Sequence, residues 1–304
     1  MAGTPAISVL TPVLNEEAHL AAALDSMRAQ QVDGAVEFVF ADGGSTDRTR
    51  ELLEAAARED PRVRVLDNPA RQTAAGLNVC LRAAQAPVVA RMDAHTLYPP
   101  TYLATGLRRL AAGDVVWVSG PQLAHGVDAG SRRVALALGS RMGTGGAGFR
   151  HEHATEQEAM TGFTGVLDRA FLERVGGWDE GWPVNQDAEL GARVAAAGGR
   201  MVVVPEMAAR YIPRASLWRL LTQYRRYGFY RAKTSRRHPQ SMRLSHLLPP
   251  AMVVTAVVAI VGPRWARPFA WAGVAAYVVA LLAAAFGARR QGRLAEVATV
   301  PPIL

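Results

Sequence analysis

The chain has 304 residues, a formal net charge of +8 and a sequence pI of about 10.3, with Lys233 its only lysine and Cys80 its only cysteine. One cysteine excludes an intrachain disulfide and argues against a thiolate zinc site, and it fits a reducing compartment. The length buries a full core in one large domain or two smaller ones, and the arginine-borne charge favours acidic partners: nucleotide phosphates, nucleic acid or anionic lipid.

The N-terminus, Met1-Ala2-Gly3-Thr4-Pro5, lacks the basic and long apolar regions of a secretory signal. From there strand-like and helix-like segments alternate. Residues 7–11 read as a strand and 12–17 as the loop after it. Residues 18–30 carry apolar side chains at helical spacing, and 36–41 form a Val- and Phe-rich strand that stops on Asp42. A helix is expected over 46–58, with Ser45 as its N-cap and Asp47 near the positive end of its dipole. A strand over 62–66, a helix over 72–84 and a strand over 87–92 follow, the last running into Asp93-Ala94-His95. A helix over 101–111 and a strand over 115–119 complete this part. Such alternation predicts an α/β fold, a mostly parallel sheet with helices on both faces.

The middle is less regular. Residues 141–150 are too glycine-rich for an element interior and lack the lysine and spacing of a phosphate loop; 144–149 is the candidate lid. Residues 168–175 look helical and end at Gly176-Gly177. A helix over 187–197 is closed by Gly198-Gly199, and 200–204 is the last strand.

Beyond residue 215 the composition shifts. Residues 217–237 form a basic, aromatic, amphipathic helix of the kind that lies on anionic membrane surfaces. Two uncharged stretches follow, 247–262 and 269–288. A full span needs about 20 apolar residues, so the second is expected to qualify and the first, with Pro249-Pro250 near its start, to fall short. Basic flanks at 231–243 and 289–293 predict a hairpin with both ends cytoplasmic; the alternative is a pair of buried core helices. Residues 297–304 are an apolar end piece. The expected organisation is 1–213 catalytic, 214–245 interfacial and 246–304 membrane segments.

In open α/β sheets, ligands bind beyond the carboxyl ends of the strands. A carboxylate there, such as Asp42, can accept from a ribose hydroxyl or a base N–H, and Asn15 and Glu16 can join the same pocket. Asp93 and His95 lie two apart and offer oxygen and imidazole to a divalent ion, a set that suits Mn²⁺ better than Mg²⁺. Such an ion would neutralise a diphosphate leaving group. Each cluster alone is also explained blandly, Asp42 as a turn or cap and His95 as a structural histidine.

Asn15-Glu16-Glu17, Asp42-Gly43-Gly44-Ser45-Thr46-Asp47, Arg91-Met92-Asp93-Ala94-His95 with Tyr98-Pro99, and Asn185-Gln186-Asp187 together resemble a family 2 inverting glycosyltransferase of GT-A fold, closest to the succinoglycan-type exopolysaccharide enzymes. The resemblance covers about residues 5–290. It implies an NDP-sugar donor, with UDP-hexose the first expectation, a divalent metal (Mn²⁺ or Mg²⁺) and no nucleic acid. With the apolar pair it also implies a lipid-linked saccharide acceptor and an inner (cytoplasmic) membrane enzyme whose catalytic domain lies in the cytoplasm. Asp187 would be the general base. Asp93 and His95 would hold the metal at the position of the family's Asp-x-Asp motif, with His replacing the second Asp. Gln186 stands where the family has Glu. Gln223-x-x-Arg226-Tyr227 resembles the Gln-x-x-Arg-Trp motif of processive members, with Arg226 meeting the diphosphate. The implied substrate-binding set is Pro12, Asn15, Glu16, Asp42, Arg71, Asp93, Gln186, Gln223, Arg226 and Tyr227. The alternatives are a sugar-nucleotide nucleotidyltransferase, which should carry a glycine-rich basic loop after strand one, and a non-catalytic membrane-bound module, which needs neither Asp93 nor Asp187.

Overall fold

The computed structural model describes residues 4–138, 155–213 and 217–290. The glycine-rich 141–150 segment with its candidate lid, and the apolar end piece at 297–304, lie outside the described residues. Two compact units form. The first takes the described parts of 1–123, 151–211 and 223–241, and the second those of 124–150, 212–222 and 242–304.

In chain order the first unit begins β1 (Ile7–Val13), α1 (Leu20–Arg28), β2 (Val36–Asp42), α2 (Thr49–Glu59), β3 (Val63–Asp67), α3 (Thr73–Ala83) and β4 (Val88–Arg91). β5 (Thr96–Leu97), α4 (Tyr102–Leu110), β6 (Trp117–Ser119) and β7 (Gln122–Ala124) follow. After α5 (Ala129–Leu138), which belongs to the second unit, come β8 (Gln157–Ala159), β9 (Gly165–Asp168), α6 (Arg169–Arg174), α7 (Gln186–Ala196), β10 (Met201–Val203) and β11 (Ala209–Tyr211). The C-terminal part holds α8 (Leu217–Arg237), α9 (Leu248–Val261) and α10 (Arg267–Arg290).

The main sheet runs β3-β2-β1-β4-β9-β6-β10-β8, and β5-β11-β7 form a small second sheet. β1 to β4 are mutually parallel where they pair, as the alternating pattern predicts. β9 departs from it: it is antiparallel to both β4 and β6 in the middle of the sheet, and β8 is antiparallel to β10 at the edge. Both faces are covered. Successive residues of β2 point oppositely, so Phe38 and Phe40 join Ile7, Leu20 and Leu53 on one face, while Val39 and Ala41 join Leu77, Leu190 and Trp178 on the other. The Cys80 thiol lies in this second layer, and burial pushes its pKa up to about 12, which removes it as a nucleophile.

β9 enters at Gly165, whose φ of +149° and contact geometry admit no side chain: a Cβ there would lie 2.3 Å from the Val118 carbonyl oxygen. Gly165→Ala is expected to destabilise the fold by about 1–3 kcal/mol, seen as a lower denaturant midpoint at unchanged slope.

Two expectations change locally. Ser45 is not the N-cap of α2, which starts at Thr49; Ser45 instead donates its hydroxyl to Asp42 at 2.6 Å, and Asp47 accepts from the Thr49 N–H at 3.0 Å. Ser45 is held because the Asp42 carboxylate, at the strand end, is a stronger acceptor than a hydroxyl and takes the turn for itself. In the second unit α9 and α10 pack together. Among the described residues the stretch long and apolar enough to cross a membrane is 244–261, with mean hydropathy 2.0 and almost none of it buried. α10, at 24 residues, is the longer helix, and its described apolar part runs over 267–283. The first stretch thus qualifies where it was expected to fall short. Pro249 and Pro250 fall in the first turn of α9, where a missing N–H costs nothing, and a helical turn at Leu244–Leu247 precedes them, so they extend the segment instead of cutting it.

Candidate active site

Parallel pairing puts the ends of β2, β1 and β4 side by side: Val13 is in register with Asp42, and Leu10 with Arg91. The residues after these ends therefore share one rim. The 13–17 and 42–49 loops are stitched together. Asn15 takes a left-handed φ of +56°, its side-chain oxygen accepts from the Thr46 N–H at 2.8 Å, and its own N–H donates to Ser45. The Glu16 N–H donates to Thr49 at 2.8 Å. Asp42 is buried, with one oxygen held by the Ser45 hydroxyl and the Arg50 guanidinium 3.8 Å from the other. Arg71 is exposed, also at φ +56°, with its guanidinium close to Gly44 of the same rim. Pro12, in β1, lies against α3, where Gly76 allows the approach.

The second cluster centres on a residue that no motif reading assigned a role. Arg91 is buried at the end of β4 and binds Asp93 through Nε and Nη2 at 2.9 and 3.1 Å, while its Nη1 reaches Asp187 at 2.5 Å. Asp187 stands in the first turn of α7 beside the buried Gln186. One guanidinium thus joins the motif aspartate to the candidate base. Burial raises the Asp187 pKa to about 6; Arg91 opposes that rise, and the Asp93 charge adds to it. The helix-terminal dipole favours the charged carboxylate, yet burial prevails. The Asp93 N–H donates to the Tyr98 hydroxyl at 2.7 Å, which fixes the turn after β4.

His95 lies across the rim with Nδ1 3.2 Å from Glu16 and its ring edge-on to Tyr211. Burial works against a charge on its imidazole, but the Glu16 hydrogen bond together with the Glu16 and Asp93 charges outweighs it and the pKa rises. Among the described residues no group of three or more His, Cys, Asp and Glu side chains could hold a metal. Asp93, already claimed by Arg91, and His95 supply two ligands at most. That donor set fits an ion completed by substrate phosphates and water, as Mg²⁺-type sites commonly are, and not a closed protein cage.

On α8, Gln223 donates to the Tyr227 hydroxyl one turn on at 3.1 Å, and Arg226 is exposed. Among the described residues no hydrogen bond or ion pair ties this trio to the Arg91 cluster. The other end of α8 does grip the site: Thr234, Lys233, Arg237 and His238 contact the 179–189 segment that leads into and carries Asp187. Arg91 was readable from sequence on one ground. It lies two residues before Asp93, on the same side of an apolar strand, and a buried arginine must be paired. Nothing in the sequence announced Thr234.

The sequence model of glycosyl transferase family 2 matches residues 8–173. The succinoglycan biosynthesis protein ExoA of Rhizobium meliloti (strain 1021) is 34% identical over 254 residues, which is 83% of this chain and 77% of that protein. The undecaprenyl-phosphate 4-deoxy-4-formamido-L-arabinose transferase of Pseudomonas aeruginosa (strain LESB58) is 36% identical over 115 residues, 36% of this chain and 34% of that one. Among solved structures, mannosyltransferase PcManGT from Pyrobaculum calidifontis, in complex with GDP-Man and Mn2+, aligns with a TM-score of 0.59 at 22% identity, covering 98% of this chain and 86% of that one. At that identity the likeness establishes the fold, which is GT-A.

Proposed function

Because this chain belongs to glycosyl transferase family 2, we propose that it transfers a sugar, with inversion, from an NDP-sugar to a hydroxyl of a lipid-linked saccharide at the cytoplasmic face of the membrane, in exopolysaccharide or cell-surface glycan synthesis. UDP-hexose is the first donor to test. The observation that carries the reading is the Arg91 bridge, which holds a buried carboxylate of raised pKa beside the strand-end motif.

The roles follow from where each group sits. The acceptor oxygen attacks the anomeric carbon, its bond to the diphosphate oxygen breaks on the opposite face, and the hydroxyl proton passes to Asp187. Asp42 and the Asn15 loop face the nucleoside, with Pro12 and Arg71 at the edge of that pocket. Asp93 and His95 would hold a divalent ion, which when bound supplies charge neutralisation at the leaving diphosphate. Glu16 fixes the His95 tautomer by taking Nδ1–H, which leaves Nε2 for the ion. Gln186 borders Asp187 without a competing charge. Gln223, Arg226 and Tyr227 offer a guanidinium from α8 to the diphosphate.

Membrane attachment is part of the same proposal. Tyr224 and Phe229 are exposed on α8 among Arg225, Arg226 and Arg236, the composition of an interfacial helix. Exposed Val253, Val254, Val257 and Ile260 on α9 suit lipid better than water. The organisation we propose is a catalytic domain over 1–213, an interfacial region over 214–245 and a membrane hairpin over 246–304. Residues 223–241 pack with the catalytic unit.

The test is NDP release from membranes supplied with a panel of UDP-, GDP- and dTDP-sugars, with and without Mn²⁺. One donor class is expected to give metal-dependent release, and calorimetry should find Mn²⁺ bound tightly only when the matching NDP is present. Tight Mn²⁺ binding to the protein alone would contradict the two-ligand site; release from no donor would contradict the transferase reading.

A further inference from the structure

We propose that Thr234 of α8 is a positioning residue for the candidate base, holding Asp187 through Asn185. This rests on the reading of Asp187 as the base. The Thr234 side chain is fully buried, and its hydroxyl uses all of its bonding capacity: Oγ accepts from Trp182 Nε1 at 2.9 Å and from Asn185 Nδ2 at 2.8 Å, and it donates to the Tyr230 carbonyl at 2.9 Å. Asn185 immediately precedes α7 and adopts a left-handed backbone, φ +64°. An asparagine at that place usually caps the helix with its own side chain. This one makes no such cap; its amide is spent on Thr234. The left-handed turn that aims the first residues of α7, and with them Asp187, is thus held from outside the helix.

Neighbouring contacts make the grip stiff. Trp182 is buried with Lys233 Nζ 3.8 Å above its ring and the Arg237 guanidinium 5.0 Å from it. Lys233 donates to the Gly181 carbonyl, and Arg237 pairs with Asp179 at 2.8 Å. Residues 233, 234 and 237 lie on one face of α8, so a single helix face clamps the loop that precedes the base. The same helix also exposes Tyr224, Arg225 and Phe229, N-terminal to the clamp. A base held by this helix is held by the element with the membrane-binding composition, which links attachment to turnover.

The test uses the full-length protein in membranes. Thr234→Val keeps the shape and removes the hydroxyl; Thr234→Ser keeps the hydroxyl; Asn185→Gly keeps the left-handed backbone and removes the amide. Thr234→Val is expected to lower kcat about tenfold at unchanged donor KM, because small displacements of a catalytic group cost rate and not ground-state binding. Thr234→Ser restores kcat, Asn185→Gly reproduces the Val defect, and the double variant is no worse than either single, as a shared interaction requires. Wild-type kcat in Thr234→Val, or a Ser variant as impaired as Val, would overturn the proposal. If Thr234→Val does not fold, Asn185→Gly decides: wild-type kcat there is equally fatal. Asp187→Asn is measured beside them. Its loss of transfer with an unaffected Thr234→Val sinks the clamp alone, whereas retained transfer in Asp187→Asn sinks the base reading and the clamp with it.

Discussion

Asp187→Asn is expected to reduce sugar transfer by about 10²–10⁴-fold, the range a positioned general base contributes, while donor binding by calorimetry stays unchanged. Asparagine preserves the shape and the hydrogen-bond reach to Arg91 but cannot take the acceptor proton. Turnover above a few per cent of wild type would remove Asp187 from the base role. The same residue sets the pH dependence. Its carboxyl titrates near pH 6 in the fold, raised from 3.8 by burial, and only the ionised form can accept a proton. kcat is therefore expected to rise with pH through about 6 and level off above it. The stability consequence has the opposite sign. A carboxyl whose folded pKa lies above its unfolded value favours the fold fully below pH 3.8, and that contribution is lost as the pH climbs through about 6. The enzyme works where this group costs stability, a common bargain at active sites.

Arg91→Met carries the second large effect. The guanidinium is buried between two carboxylates, and burial of the cation is outweighed by Asp187 and Asp93, so it stays charged across all accessible pH. Replacing it with an apolar side chain of similar length leaves two buried like charges without a counter-charge, at a cost of about 3–5 kcal/mol. The expected outcome is a markedly lower denaturant midpoint at neutral pH. Acidification should recover part of the loss, because protonating one carboxyl removes the repulsion. A midpoint insensitive to pH would show that Arg91 acts through packing alone. Arg91→Lys should fall between: it restores charge, but one ammonium cannot match the planar fork that serves Asp93 bidentately and Asp187 at once.

How much of this was legible in the sequence depends on the range of the interaction. The strand–helix alternation of 7–119 was readable because period-2 and period-3.6 patterns are local, and the boundaries of β1 to β4 and α1 to α4 fall within a few residues of expectation. The antiparallel β9 was not. Gly165-Val166-Leu167-Asp168 is a short apolar run with nothing in it to specify direction, and its place depends on Gly165 passing the Val118 carbonyl. The C-terminal helices were visible by composition, but the first was expected to fall short because Pro249 and Pro250 look like breakers until the turn before them is seen.

For the site, the sequence by itself determined the chemistry at the strand ends. Asp42 and Asp93 are specified by type and by their position after apolar runs, Asp187 is singled out only by its motif resemblance, and together these local signals carry the GT-A reading. What only the tertiary structure decided is which of those groups meet. Arg91 and Asp187 are 96 residues apart, Glu16 and His95 are 79, and Asn185 and Thr234 are 49, and no local pattern encodes such pairings. They arise because parallel strands bring their carboxyl ends to one rim and because α8 folds back over the turn before α7. Buried charges and hydroxyls must then find partners within reach, and the partners they find turn separate side chains into a bridged pair of carboxylates, an oriented imidazole and a held helix start.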